Sequence, residues 1–149
     1  AFAQYKNWQT YAALCVFLQV HEKTLATDLD HAVIVADAGR VVDPDGLRNQ
    51  LEGGFIQSAS WSLREAVTFD RYGTTSTNWN SYPILKFSEI PTVYIDLIDN
   101  PKLPPLGAGE ALYGPKPAAI ANAIAHATGI RVQQIPLTSD ATRRAGLQD

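Results

Sequence analysis

A chain of 149 residues, 46% hydrophobic and 18% charged, is long and apolar enough for one domain with a real core, which excludes a disordered segment. A formal net charge of −3, with acids and bases interspersed, excludes nucleic-acid binding through bulk charge and leaves no polybasic patch for a membrane surface. The single cysteine, Cys15, excludes an internal disulfide, a four-cysteine iron–sulfur cluster and a cysteine zinc site within this chain.

The chain opens on "AFAQYKNWQTYAAL", which reads as the interior of a structured sequence and raises the expectation of a fragment or a processed product. Tyr11–Val20 and His31–Asp37 are apolar runs rich in β-branched and aromatic residues. Joined by the polar "HEKTLATDLD", they predict an antiparallel hairpin. Within it Tyr11 to Leu18 is the longest apolar run, far too short to span a bilayer, so a soluble chain without membrane insertion is expected. Cys15 lies in this run and reads as a small buried hydrophobe.

The period then changes. Asp43 can act as N-cap with Pro44 in the first turn, and Leu47, Leu51, Phe55, Ala59 and Leu63 follow at four-residue spacing, predicting an amphipathic helix over Pro44–Glu65. Gly53 and Gly54 inside it each cost about 1 kcal/mol relative to alanine. Close helix packing accounts for them, and so does close approach of a bulky cofactor. Gln50 and Gln57 are either solvated or amide donors to a polar ligand. Trp61 on this helix and Trp79 further on read as core or loop anchors.

"AVTFD" predicts a short strand ending at the turn-like "RYGTTS", and "TNWNSYPILKFSEIP" a long irregular connection. "TVYIDLID" alternates, with Val93, Ile95 and Leu97 on one face. Pro115 and Pro117 suit a helix start, Ile120, Ala121, Ile124 and Ala127 form its apolar stripe, and Gly129 is placed to cap it. The tail predicts one short helix capped by Thr138 or Ser139. The order gives an α+β, or mixed α/β, domain of antiparallel strand pairs with two main helices, residues 1–149 forming one unit.

Between the last strand and the last main helix lies "LGAGEALYGPKPAAIANAI", Leu106 to Ile124. Gly109 and Gly114 have the spacing of a phosphate-binding P-loop, but Pro115 and Lys116 follow where that motif requires Lys and Ser/Thr. A dinucleotide fingerprint would put its third glycine at Leu112, and Pro104-Pro105 interrupts the strand-to-helix passage it needs. What remains is a backbone bared by Gly107 and Gly109, able to approach a ligand closely, with one carboxylate, Glu110, at its end. An acid just ahead of a helix is also what the helix macrodipole favours, so spacing alone leaves a structural and a chemical reading of Glu110 open.

Several blocks in order carry a resemblance. "DAGRVVDPDGLRNQLEGGFIQSASWSLREAVTFD", "SYPILKFSEIP" and "LGAGEALYGPKPAAIANAIAHATGIRVQQIPLT", with "FAQYKN" as lead-in, resemble the C-terminal part of the large, molybdopterin-binding subunit of the xanthine oxidase family, of the isoquinoline 1-oxidoreductase β-subunit, nicotinate dehydrogenase and aldehyde oxidase type. The resemblance covers nearly the whole chain. It implies a molybdenum hydroxylase acting on an aldehyde or an N-heterocycle with water as oxygen source, in which the glutamate of Gly-x-Gly-Glu, here Glu110, is the base that takes the proton of the attacking hydroxyl. Gly107, Ala108 and Gly109 are then expected to line the cofactor and Gln50 to contact the pterin. No protein side chain is expected to ligate the metal, because the dithiolene sulfurs of molybdopterin hold it.

The resemblance further implies a cofactor of molybdopterin type, with the cytosine dinucleotide as one form, and iron–sulfur clusters on a partner small subunit. The remainder of the large subunit is the other expected partner, and this chain by itself is expected to be inactive. A non-catalytic binding or assembly domain of the same ancestry is the alternative. The bacterial cytoplasm is the expected compartment, with the periplasm as the alternative. His21, His31 and His126 lack the spacing of a metal site and read as solvated or simple hydrogen-bond partners, and "TRRAGLQD" as a solvated helix face.

Overall fold

Alternating strands set the architecture. In the computed structural model, which describes residues 1–4 and 10–147, β1 (Phe2–Gln4), β2 (Tyr11–Val20) and β3 (Thr27–Asp37) form an antiparallel meander. Tyr5 to Asn7 of the lead-in lie outside the described residues. The expected hairpin is β2–β3, closed where His21 N–H donates to the Ala26 carbonyl at 2.9 Å and Leu25 takes φ of 57°. β3 begins four residues before the expected His31, since Thr27, Asp28 and Leu29 still pair with Val20, Gln19 and Leu18.

Period two decides which residues meet the core. Ala12, Leu14 and Val16 of β2 and Ala32, Ile34 and Ala36 of β3 are buried on one face. Cys15 falls on the opposite face and is exposed, which corrects the expectation of a buried thiol. That second face is apolar too: Phe17, Val33, Val35 and Tyr94 share it with Cys15, with His31 stacked on Phe17 at 4.1 Å.

Helix α1 (Pro44–Leu63) starts as its sequence dictates, Asp43 Oδ1 accepting from Gly46 N–H at 3.0 Å. Its four-residue stripe, Leu51, Phe55, Ala59 and Leu63, is buried against the sheet, and the helix ends two residues before Glu65. Only Phe69–Asp70 of "AVTFD" becomes strand. This β4 pairs with β5 (Gly73–Thr74) in a separate, exposed hairpin whose turn is held by the Asp70 carboxylate. Trp79 in the following connection is 75% exposed, so it is no anchor in this chain. A turn of 3-10 helix at Phe87–Glu89 is tied to the end of α1 by Arg64 and Glu89 at 2.8 Å. The Lys86 backbone N–H, with Arg64, holds Glu89 below the usual carboxylate range.

β6 (Thr92–Ile98) joins the sheet beside β3 and parallel to it, giving the order β1-β2-β3-β6. The mixed α/β class therefore holds, with antiparallel pairs at β1–β2, β2–β3 and β4–β5 and one parallel pair that alternation in β6 does not reveal. Helices α2 (Pro115–Thr128) and α3 (Ser139–Gly146) follow; Gly129 closes α2 at φ 74°, and Thr138 Oγ1 caps α3 by accepting from Ala141 N–H at 3.2 Å. Leu112, Ile120, Ile124 and Leu137 complete the core between α1, α2 and the sheet.

At the end of β3 the chain turns through Gly39, φ 68°, where a Cβ would fall on the Pro104 carbonyl oxygen. Gly39→Ala is expected to cost more than about 2 kcal/mol in equilibrium denaturation, from the left-handed strain and the displaced connection together. A neutral substitution would show that the connection does not seat on Gly39.

Candidate functional site

β3 and β6 run parallel and in register, Asp37 beside Ile98, so the chain leaving each strand emerges at the same edge of the sheet. In open sheets, ligands bind outside such carboxyl ends. The two connections that leave there interlock. Asn100 N–H donates to the Gly39 carbonyl at 3.0 Å, Val41 N–H to Asp99 Oδ1 at 3.2 Å, Arg40 Nη2 to the Pro101 carbonyl at 3.1 Å and Leu106 N–H to the Ala38 carbonyl at 2.8 Å.

The glycine segment is pinned on both sides. Before it, the fully buried Thr10 donates twice to the Gly107 carbonyl, from its N–H at 3.1 Å and its Oγ1 at 2.9 Å. After it, Ala111 and Leu112 are buried, Tyr113 N–H donates to the Glu110 carbonyl at 3.2 Å, and Lys116 N–H donates to the Leu112 carbonyl at 2.9 Å as α2 begins. Ala108, Gly109 and Glu110 cross between these anchors as an arch. Gly109 makes no hydrogen bond to any described residue, which leaves its N–H and C=O open.

The arch faces α1. A Cβ at Gly109 would lie 3.8 Å from Gln50 Nε2, and Gln50 is exposed, so a side-chain amide flanks the bare backbone. The structure thus brings together Gln50, Gly107, Ala108, Gly109 and Glu110, all picked out from sequence. Glu110 is exposed among the described residues. Gln50, Gly53, Gly54 and Gln57 have i, i+3, i+4, i+7 spacing and share one face of α1. Gln57 Oε1 accepts from Tyr113 Oη at 3.4 Å.

The two helix glycines divide the readings that sequence left open. Gly54 is buried by packing: a Cβ there would lie 2.7 Å from Lys116 Nζ. Gly53 has nothing within 4 Å of its missing Cβ and presents bare helix backbone to whatever approaches.

Lys116 itself escaped sequence reasoning. It is 2% exposed, its ammonium lies 5.2 Å from the centre of the Tyr113 ring, and no carboxylate pairs with it among the described residues. Burial alone lowers its pKa to about 8. The signal was available, since Lys116 stands four and eight residues before Ile120 and Ile124 and so heads their buried stripe. The seam between α1 and the arch therefore combines an amide, an open N–H, a largely buried lysine and the bare backbone of Gly53, a donor-rich surface suited to a flat, hydrogen-bonding ligand that carries negative charge. Clefts elsewhere, of about 380 Å³ beside Arg64 and Glu89 and about 630 Å³ between β2 and α2, do not include the arch.

Residues 3–91 match the molybdopterin cofactor-binding domain family, a span that contains Gln50 and Gly53 and ends before the arch. Over 135 residues the chain is 40% identical to a nicotinate dehydrogenase subunit of Pseudomonas putida, covering 91% of this chain and 11% of that protein. It is 29% identical over 137 residues to the β-subunit of isoquinoline 1-oxidoreductase of Brevundimonas diminuta, covering 92% of this chain and 17% of that one. The fold superimposes on quinoline 2-oxidoreductase from Pseudomonas putida 86 with a TM-score of 0.82, at 22% identity over 91% of this chain and 18% of the other. The chain thus spans less than a fifth of the length of these relatives.

A lysine buried without an anion predicts an unusual titration. In the ligand-free protein, NMR of labelled lysine side chains should place the Lys116 midpoint near 8 rather than 10.5. Because the folded-state pKa lies below the unfolded one, protonated Lys116 opposes folding below pH 8, and this opposition fades as pH rises from about 8 to about 10.5. Lys116→Met should therefore raise the unfolding midpoint at pH 7 and lose that advantage toward pH 10.5. A midpoint at 10.5 would show a solvated ammonium.

Proposed function

Since this chain belongs to the molybdopterin cofactor-binding domain family, we propose that it is the C-terminal segment of the large, molybdenum-binding subunit of a hydroxylating oxidoreductase, with residues 1–149 forming one domain of that subunit. The observation that carries the reading is the arch: a single carboxylate, Glu110, held between two pinned ends beside a donor-rich seam at the carboxyl edge of parallel strands. The substrate class is an aldehyde or an N-heterocycle, with water as the source of the oxygen. Two relatives, a nicotinate dehydrogenase and an isoquinoline oxidoreductase, are named for N-heterocyclic substrates and support that class.

In this reading Glu110 is the catalytic base, taking the proton of the oxygen nucleophile as it attacks an electron-poor carbon. A base needs a carboxylate fixed within hydrogen-bond reach of that proton, and an arch pinned at Gly107 and again at Tyr113 fixes it without a long flexible stem. Gly107, Ala108 and Gly109 line the cofactor, Gln50 contacts it, the open Gly109 N–H is a donor to its polar groups, and Gly53 lets it approach α1 closely. The residues present fit molybdopterin, which when bound supplies the two-electron oxidation and holds its metal through its own sulfurs.

The finer assignments follow the same reading. The cofactor is the cytosine dinucleotide form, and electrons leave to iron–sulfur clusters on a small partner subunit. The remainder of the large subunit supplies the opposite wall of the site and the substrate pocket. No helix among the described residues is long and apolar enough to cross a membrane; the bacterial cytoplasm is the proposed compartment.

Glu110→Gln in the full-length enzyme should lower turnover by about 10² to 10⁴-fold, the range of a general base, while molybdenum and pterin content stay at the wild-type level. Unchanged turnover with normal cofactor content would overturn the base assignment. Absence of both metal and pterin from the wild-type protein, purified from a host that makes the cofactor, would favour a non-catalytic assembly domain instead.

A further inference from the structure

Lys116 has no part in the chemistry assigned to Glu110, yet the fold keeps nearly all of its side chain inside. A lysine stem normally carries its charge out to water. Here Nζ is seated on α1 at Gly54, where even an alanine methyl would stand 2.7 Å away, and the Tyr113 ring covers it at 5.2 Å. Its position makes matters worse for a cation: Lys116 is the second residue of α2, a 14-residue helix whose amino end carries partial positive charge. A buried charge without a counter-charge is strongly unfavourable, and none of the described carboxylates is in ion-pair contact with it.

We propose that Lys116 is the counter-charge for an oxyanion, phosphate or carboxylate, seated on the seam where Gln50 and Gly53 of α1 meet Gly109 of the arch. The oxyanion would find donors already in place, since the Gln50 side chain and the Gly109 backbone make no hydrogen bond to any described residue. Gly53 offers open space above the helix backbone, and the amino end of α2 now favours the ligand where it opposed the lysine. Gly54, on which the ammonium sits, adjoins Gly53 and lies one helical turn from Gln50, within the compass of a flexible four-carbon stem. The inference rests on the reading of this chain as part of a molybdopterin enzyme, in which two partners carry such a group: the phosphate of the cofactor and the carboxylate of an acidic substrate.

The test compares Lys116→Met, which keeps bulk without charge, with Lys116→Arg, which keeps charge, in the full-length protein. If the anion is the cofactor phosphate, Lys116→Met should lose at least tenfold in molybdenum and pterin content and Lys116→Arg should retain most of it. If it is the substrate carboxylate, cofactor content should hold while KM for an aromatic carboxylate rises at least tenfold and KM for its neutral carboxamide does not move. Inorganic pyrophosphate titrated into the cofactor-free protein should bind at least tenfold more weakly to Lys116→Met in either case. Should that variant fail to fold, Gly54→Ala, which displaces the ammonium, should give the same losses in weaker form. Unchanged cofactor content and unchanged KM values in the loaded enzyme, together with unchanged pyrophosphate affinity in the cofactor-free protein, would overturn the proposal and leave the role of Glu110 standing. A wild-type protein that lacks molybdenum yet binds pyrophosphate through Lys116 would do the reverse.

Discussion

The parallel pairing of β3 with β6 is the constraint on which the site depends. Had β6 run the other way, the connections to α1 and α2 would leave the sheet at opposite edges, and Gln50 and Glu110 would stand a strand's length apart. With Asp37 beside Ile98, both connections emerge together and lock through backbone hydrogen bonds at Ala38, Gly39 and Asn100 and through the Asp99 carboxylate, which accepts from Val41 N–H. Helix α1 serves as the crossover between the two strands and packs on the face that buries Leu14, Ile34 and Phe55. The core thus fixes the strands, the strands fix the connections, and the connections hold the arch.

Much of this was legible in the residues because it is local. Asp43-Pro44 followed by apolar residues every fourth position defines α1, a polar link between two β-rich runs defines the hairpin, and Gly129 marks the end of α2. What escaped was non-local. Alternation in "TVYIDLID" states that one face is half-buried but not which strand lies alongside or in which direction. Cys15 was misplaced because an apolar run has no polar alternation to show its inner face. Its neighbours Leu14 and Val16 took the core, and the outer face proved apolar as well.

The candidate site divides along the same line. Glu110 and its glycines stand out in a linear reading, and the resemblance to a family gave them roles. That Gln50 reaches Gly109, and that Gly54 accommodates a lysine from another helix, are facts of packing between segments more than fifty residues apart. Lys116 broke the pattern of its own helix, a charge at the head of a buried stripe, and such local inconsistency marks a place where stability gives way to another demand. Glu110 is exposed, and the chain spans less than a fifth of the length of the relatives it matches.

Thr10 and Gly107 are 97 positions apart in the chain. Their double hydrogen bond closes a loop that contains every strand of the main sheet after β1 and the whole of α1. Loop closure on that scale cannot be earned early by local contacts. The arch is therefore a product of completed folding: the carboxylate takes its place only once the beginning of β2 and the segment beyond β6 have met. In temporal terms, the arch and its carboxylate are set last, after the scaffold that bears them has already closed.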